Sequence, residues 1–204
     1  MIEGGLGTAT GSEGKSLGEK VFFANSGTEA NEGALKVARK VGKERWAAAV
    51  PGRKWDSPDC TKTRIVCFEG SFHGRSMGAL SVTANAKYQA PFAPLLPGVD
   101  VGRLNDHDGL KSLIGEDTCA VIVEPIQGEG GINAASVDWL RALRQRCDEV
   151  QAVLIYDEVQ VGVFFLADGL MAYEVDIVWS VQDRNALGTL NFAGRLPSGY
   201  CNDG

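Results

Sequence analysis

An apolar run closes on two carboxylates in "LIYDEVQVG", residues 154–162, and the first of them, Asp157, falls where a strand buried on both faces should end. A carboxylate in that position is costly unless it meets a cation or several hydrogen-bond donors. A protonated aromatic ring nitrogen would be one such cation. Asp is also a favoured helix cap, so capping of a following helix remains the alternative. A second candidate is "VFFANSGTEANEGALKVARK", where a short strand runs into Ser26, Gly27 and Thr28 and then directly into a helix. Unpaired backbone N–H groups and the positive end of the helix dipole then converge on one point, an arrangement suited to a phosphate. The same residues also supply S-x-x-E, Ser26 with Glu29, which is an ordinary capping box.

Two further loops carry reactive types. In "FEGSFHGRSMGAL", Phe72, His73, Gly74 and Arg75 follow a strand and are flanked by glycines. The ring of Phe72 could cover a planar ligand, and Arg75 could grip a carboxylate in a bidentate manner. Core packing of Phe72 and plain solvation of Arg75 are the competing uses. In "VIVEPIQGEGGI", an apolar strand ends at Glu124 and Pro125 and leads into a glycine-rich loop holding Glu129. Carboxylates in such loops are often caps or surface charges.

The elements that must position these groups are legible as short apolar runs, "VFF" at 21, "RIVCF" at 64, "AVIVEP" at 120 and "AVLIYDE" at 152. Between them, Ala30, Ala34, Leu35, Ala38 and Val41, and then Val137, Leu140, Leu143 and Cys147, recur at helical spacing. Strands alternating with helices predict an α/β fold, a mostly parallel sheet with helices on both faces. Such sheets bind ligands beyond the carboxyl ends of their strands, where these loops lie. The stretch "ERWAAAVPGRKWDSPDCTK" reads as a helix end followed by a surface excursion. Residues 1–20 read as a flexible leader, 21–172 as the ordered body, and 173–204 as a divergent tail rich in turn residues.

Composition narrows the function classes. With 204 residues and 44% hydrophobic content the chain can bury a sizeable core. A net charge of -6 with no basic cluster argues against a nucleic-acid partner. Five scattered cysteines without a C-x-x-C pair suggest neither a disulfide framework nor a metal site, and fit a reducing compartment. No apolar run spans a bilayer, and the start resembles neither a secretory signal nor a mitochondrial presequence. The expectation is a soluble intracellular protein with no membrane partner, in the mitochondrial matrix or the cytoplasm.

Taken in order, "NSGTEANE", "SFHGRSMGALS", "VEPIQGEGG" and "LIYDEVQVG" closely resemble the class III, pyridoxal-phosphate-dependent aminotransferases, continuously from about Val21 to Ala172. Within that family, "SMGALSVTANAKYQAPFAPLLPGV" looks most like the members acting on N-acetylornithine, with ornithine-acting members as near relatives. The resemblance implies part of the large domain of the type I fold of pyridoxal-phosphate-dependent transferases, with the small C-terminal domain absent. It also implies a homodimer, with amino acid and 2-oxo acid substrates. By resemblance, Ser26, Gly27 and Thr28 cradle the phosphate of pyridoxal 5'-phosphate, Phe72 stacks on its ring and His73 lies beside it. Asp157 pairs with the ring nitrogen, Val159 packs on the ring's other face, and Gln160 reaches the phenolic oxygen. Arg75 and Glu129 face the substrate, and Glu124 supports the aspartate.

One departure stands out. Family members continue through a segment like "PDIVTMAK", whose lysine anchors the cofactor as a Schiff base. Here "VDIVWSVQ" places Gln182 at that position, and no lysine follows Lys111. An amide can neither form the imine nor shuttle the substrate proton, so no catalytic residue is assigned and an inactive chain is expected. A non-catalytic fragment, or a dimerisation partner of a full-length transaminase, is the alternative.

Overall fold

The computed structural model describes residues 20–159, 177–180 and 188–192. Strand β1 (Lys20–Ala24) leads into the long helix α1 (Gly27–Ala48), and β2 (Arg64–Phe68) follows. Next come the short helices α2 (Met77–Ser81) and α3 (Ala86–Gln89), then β3 (Val99–Gly102), α4 (Leu110–Leu113) and β4 (Thr118–Val123). A small hairpin of β5 (Ile126–Gln127) and β6 (Asn133–Ala134) precedes α5 (Val137–Glu149) and β7 (Val153–Glu158). Strands β8 (Ile177–Ser180) and β9 (Gly188–Phe192) complete the main sheet.

That sheet has seven strands in the order β1-β9-β8-β7-β4-β2-β3. The pairs from β8 through β7, β4 and β2 to β3 are parallel, while β9 runs antiparallel to both β8 and β1. This is the mostly parallel α/β architecture that the alternating pattern predicts. The antiparallel edge and the strands β3, β8 and β9 are additions that the apolar runs did not single out. Two of them, β8 and β9, fall within residues 173–204.

Alternation along the strands splits the core in two. On one face Ile65, Cys67, Ala120, Ile122, Val153 and Ile155 pack with Ala30, Ala34, Leu35, Ala38 and Val41 of α1. On the other, Val66, Val121, Val123, Leu154 and Tyr156 pack with Trp139, Leu140, Leu143 and Cys147 of α5. Each fully buried Leu or Ile side chain stabilises this arrangement by about 1.5–3 kcal/mol, before entropy is counted. Helix α1 meets the sheet through small residues: a Cβ at Gly42 would sit 2.5 Å from the Cβ of Cys119 on β4, so only glycine permits this approach. Helix α5 starts at the Ser136 cap, whose hydroxyl accepts the Trp139 N–H, and Arg146 in its last turn donates to the Ile114 carbonyl.

The register sets the chemistry. All six residues of β7 are buried, and side chains alternate, so Asp157 points to the α1 face together with Val153 and Ile155. Its neighbour Glu158 falls on the α5 side.

Candidate functional site

Asp157 is 4% exposed and lies at the carboxyl end of β7. Its Oδ2 accepts from the Nδ2 of Asn31 at 2.8 Å and lies 2.8 Å from the Nδ1 of His73. A carboxylate only accepts, so Nδ1 of His73 carries the shared proton. Oδ1 accepts the backbone N–H of Val159 at 3.2 Å. The aspartate is therefore held on both oxygens, and Oδ1 keeps acceptor capacity for one more donor. The His73 side chain is fully buried, and its Nε2 has no partner among the described residues.

Asn31 is the residue that the motif reading passed over, although "NSGTEANE" contains it. It is 1% exposed on α1 and donates to the His73 carbonyl as well as to Asp157, both at 2.8 Å. A signal was available. Asn31 stands one turn before Leu35 on the buried stripe, and a polar residue on such a stripe announces a buried polar partner. Because Asn31 lies three residues beyond Thr28, it ties Asp157 to the first turn of α1, about 5 Å along the helix axis.

At that first turn the capping box and the anion cradle coexist. Ser26 Oγ accepts the Glu29 N–H at 3.2 Å, and Glu29 Oε2 accepts the Asn25 N–H at 2.8 Å. The N–H groups of Gly27 and Thr28 donate to nothing among the described residues. They remain aimed outward from a helix of 22 residues.

The loop of residues 71–76 is pinned against this turn. Gly74 has φ of 126°, in the left-handed region, and a Cβ there would collide with the Thr28 side chain. Glu32, one turn further along α1, accepts from Ser76 Oγ at 2.5 Å and from the N–H groups of Gly78 and Ala79, capping α2 across the gap. Thr83 Oγ1 accepts the His73 N–H at 2.9 Å. With the backbone so fixed, Phe72 is left half-buried and Arg75 exposed. The competing expectation of full core burial for Phe72 is not met.

Glu124 behaves differently from its expected support of Asp157. Its Oε2 accepts the Phe72 N–H at 2.9 Å, whereas the direct hydrogen bonds to the Asp157 carboxylate come from His73, Asn31 and Val159. Burial pushes its carboxyl up to about 7, against the pull of the His73 ring and the Phe72 N–H. Glu158, 1% exposed, is pushed up to about 8 by burial and then by Asp157, and its Oε2 has no partner among the described residues. Val159 packs against the α1-side core.

Glu129 is exposed and accepts the Tyr88 hydroxyl at 2.6 Å. The Arg75 guanidinium lies 4.3 Å over the Tyr88 ring and 5.9 Å over Phe72. Gln160 and Gln182 lie outside the described residues. The structure thus brings Ser26, Gly27, Thr28, His73, Asp157 and Val159 onto the α1 side of the strand ends, and gathers Phe72, Arg75 and Glu129 around Tyr88.

A buried aspartate beneath a helix start and an aromatic loop, at the carboxyl ends of a parallel sheet, defines a site suited to a ligand with a cationic ring and an anionic arm. The match to the family model of class III aminotransferases covers residues 8–175, and the chain belongs to that family. It is 60% identical over 144 residues to the mitochondrial acetylornithine aminotransferase of Yarrowia lipolytica, covering 71% of this chain and 32% of that protein. The chain therefore spans about a third of the length of that relative. Among solved structures, the ornithine aminotransferase of Toxoplasma gondii superposes with a TM-score of 0.72 at 27% identity, covering 88% of this chain and 42% of that one. A PLP-bound amine transaminase from an uncultivated Pseudomonas species gives 0.68 at 26% identity, covering 87% and 44%.

Proposed function

We propose that this chain forms a pyridoxal 5'-phosphate cup of the acetylornithine aminotransferase type, and that it does not turn over because Gln182 stands where the anchoring lysine belongs. The observation that carries the cup is the buried Asp157 carboxylate, fixed by His73 and by Asn31 of the helix whose Gly27 and Thr28 N–H groups have no partner among the described residues. The residues present fit the cofactor. Oδ1 of Asp157 accepts a single N–H among the described residues and can take a ring N–H, the Gly27 and Thr28 N–H groups suit a phosphate, and Phe72 presents a half-buried ring.

When bound, pyridoxal phosphate supplies a protonated ring that withdraws electrons from the bond broken at the substrate's α-carbon. The protein's own groups set the conditions. Asp157, oriented by Asn31 and by the Nδ1–H of His73, would hold a proton at the ring nitrogen. Ser26, Gly27 and Thr28 would hold the phosphate, Phe72 and Val159 would exclude water from the two ring faces, and Gln160 would serve the phenolic oxygen. Arg75 and Glu129 face the substrates. In the intact family type these are N-acetylornithine as amino donor and 2-oxoglutarate as acceptor, with ornithine as the alternative donor, in a homodimer of mitochondrial location. The Gln182 amide is neither nucleophilic nor basic, so covalent anchoring and proton transfer at the α-carbon both fail.

The test is a titration of the purified chain with pyridoxal 5'-phosphate, followed by induced circular dichroism of the cofactor band, then borohydride reduction and mass spectrometry. Saturable binding that weakens in Asp157→Ala, with no pyridoxyl adduct, is the expected result. Absence of binding removes the cup, and a stable adduct with aminotransferase turnover removes the claim of inactivity.

A further inference from the structure

We propose that Tyr88 is a positioning residue that holds Glu129 off Arg75 and so keeps the guanidinium available for a substrate carboxylate; this rests on the function proposed above. Tyr88 was not among the residues that the motifs singled out. It sits on α3, half-buried, and touches Phe72 of the cofactor side and both groups of the substrate side. Its ring meets Phe72 edge to face at 5.6 Å, its face carries the Arg75 guanidinium at 4.3 Å, and its hydroxyl donates to Glu129 at 2.6 Å.

An arginine and a glutamate thus converge on one phenol, and among the described residues they form no ion pair with each other. Left unrestrained, opposite charges on the side chains of two adjacent loops would pair, and a paired guanidinium has fewer donors to offer an incoming carboxylate. The short phenol–carboxylate hydrogen bond takes up the Glu129 oxygen, while the ring face supports the cation. Consistent with this division, the Glu129 hydrogen bond pushes the Tyr88 phenol up from its ordinary value, with Arg75 acting weakly the other way. Glu124 completes the frame by accepting the Phe72 N–H from beneath, so the loop carrying Arg75 and the loop carrying Glu129 cannot drift apart independently.

The experiment is side-chain NMR of the full chain labelled with 15N-arginine, with the Arg75 Nε–Hε resonance assigned by Arg75→Lys and 2-oxoglutarate as the probe. Tyr88→Phe keeps the ring and removes only the hydroxyl. The expected result is a displaced Arg75 resonance in the free protein, and an affinity for 2-oxoglutarate lowered about three- to tenfold. Tyr88→Phe combined with Glu129→Gln should return the Arg75 resonance of the free protein, a rescue that a purely structural role for Tyr88 would not give. An unmoved Arg75 resonance in Tyr88→Phe, or a displacement that Glu129→Gln fails to reverse, overturns the proposal. If the variants behave as stated but 2-oxoglutarate leaves the wild-type resonance unchanged, the restraint stands and the substrate reading behind it is the part overturned.

Discussion

Replacing Asn31 with alanine separates a held aspartate from a merely buried one. The side chain is 1% exposed and makes two hydrogen bonds of 2.8 Å, one to the Asp157 carboxylate and one to the His73 carbonyl. A hydrogen bond to a charged group contributes about 1.5–3 kcal/mol and a neutral one about 1 kcal/mol. Against this, Oδ1 of Asn31 has no partner among the described residues, so truncation also relieves one unsatisfied buried acceptor worth about 1 kcal/mol or more. The net expectation is a loss of about 1.5–3 kcal/mol, a factor of roughly 10 to 150 in the unfolding equilibrium. Urea denaturation followed by fluorescence measures it, and an unchanged slope with a lowered midpoint would show that stability alone has changed. Asn31→Asp should be worse than alanine, since it sets a second carboxylate against Asp157. A loss below about 0.5 kcal/mol for Asn31→Ala would refute the claim that this contact organises the site.

Other outcomes follow from the same geometry. The Glu124 and Glu158 carboxyls are held at about 7 and about 8 against an ordinary 4.5, so the folded chain keeps protons that the unfolded chain has already released. Their contribution to stability is complete below about pH 4.5 and is lost as the pH rises through 7 to 8, by up to about 1.4 kcal/mol per pH unit for each group. Glu158→Gln should flatten that decline between pH 5 and 8 in urea titrations; a slope parallel to wild type would contradict it. Gly74→Ala, at φ of 126° and against Thr28, should destabilise by about 1–3 kcal/mol and weaken pyridoxal phosphate binding, read by the induced dichroism. Gln182→Lys should yield a pyridoxyl adduct on residue 182 after borohydride, and its absence would show that this position is not the anchor point.

Much of the scaffold was legible because burial writes itself into sequence as period. The runs "RIVCF" and "VLIYDE" are almost wholly apolar because both faces of their strands are covered, and α1 and α5 show their stripes over several turns. Strand β3 escaped because it is a short edge strand of intermediate exposure, with Asp100 turned toward Arg64 rather than into a core. Helices α2 and α3 are of five and four residues, too short for a 3.6-residue period to declare itself. In β9, Gly188 and Asn191 break the apolar pattern. Motif order exposed the candidate site, but not its supports. Asn31, Glu32 and Tyr88 act across 126, 44 and 41 residues of chain, to Asp157, Ser76 and Glu129 respectively, and only the folded register brings those partners together.

The central claim is that Asp157 keeps a ring nitrogen protonated, and nitrogen NMR of the chain loaded with pyridoxal 5'-phosphate, 15N-labelled in its ring, measures that directly. A protonated-ring shift in the wild type at neutral pH, moving to the unprotonated value in Asp157→Ala, is the predicted result. An unprotonated ring in the wild type, or a shift indifferent to the loss of Asp157, would contradict the account.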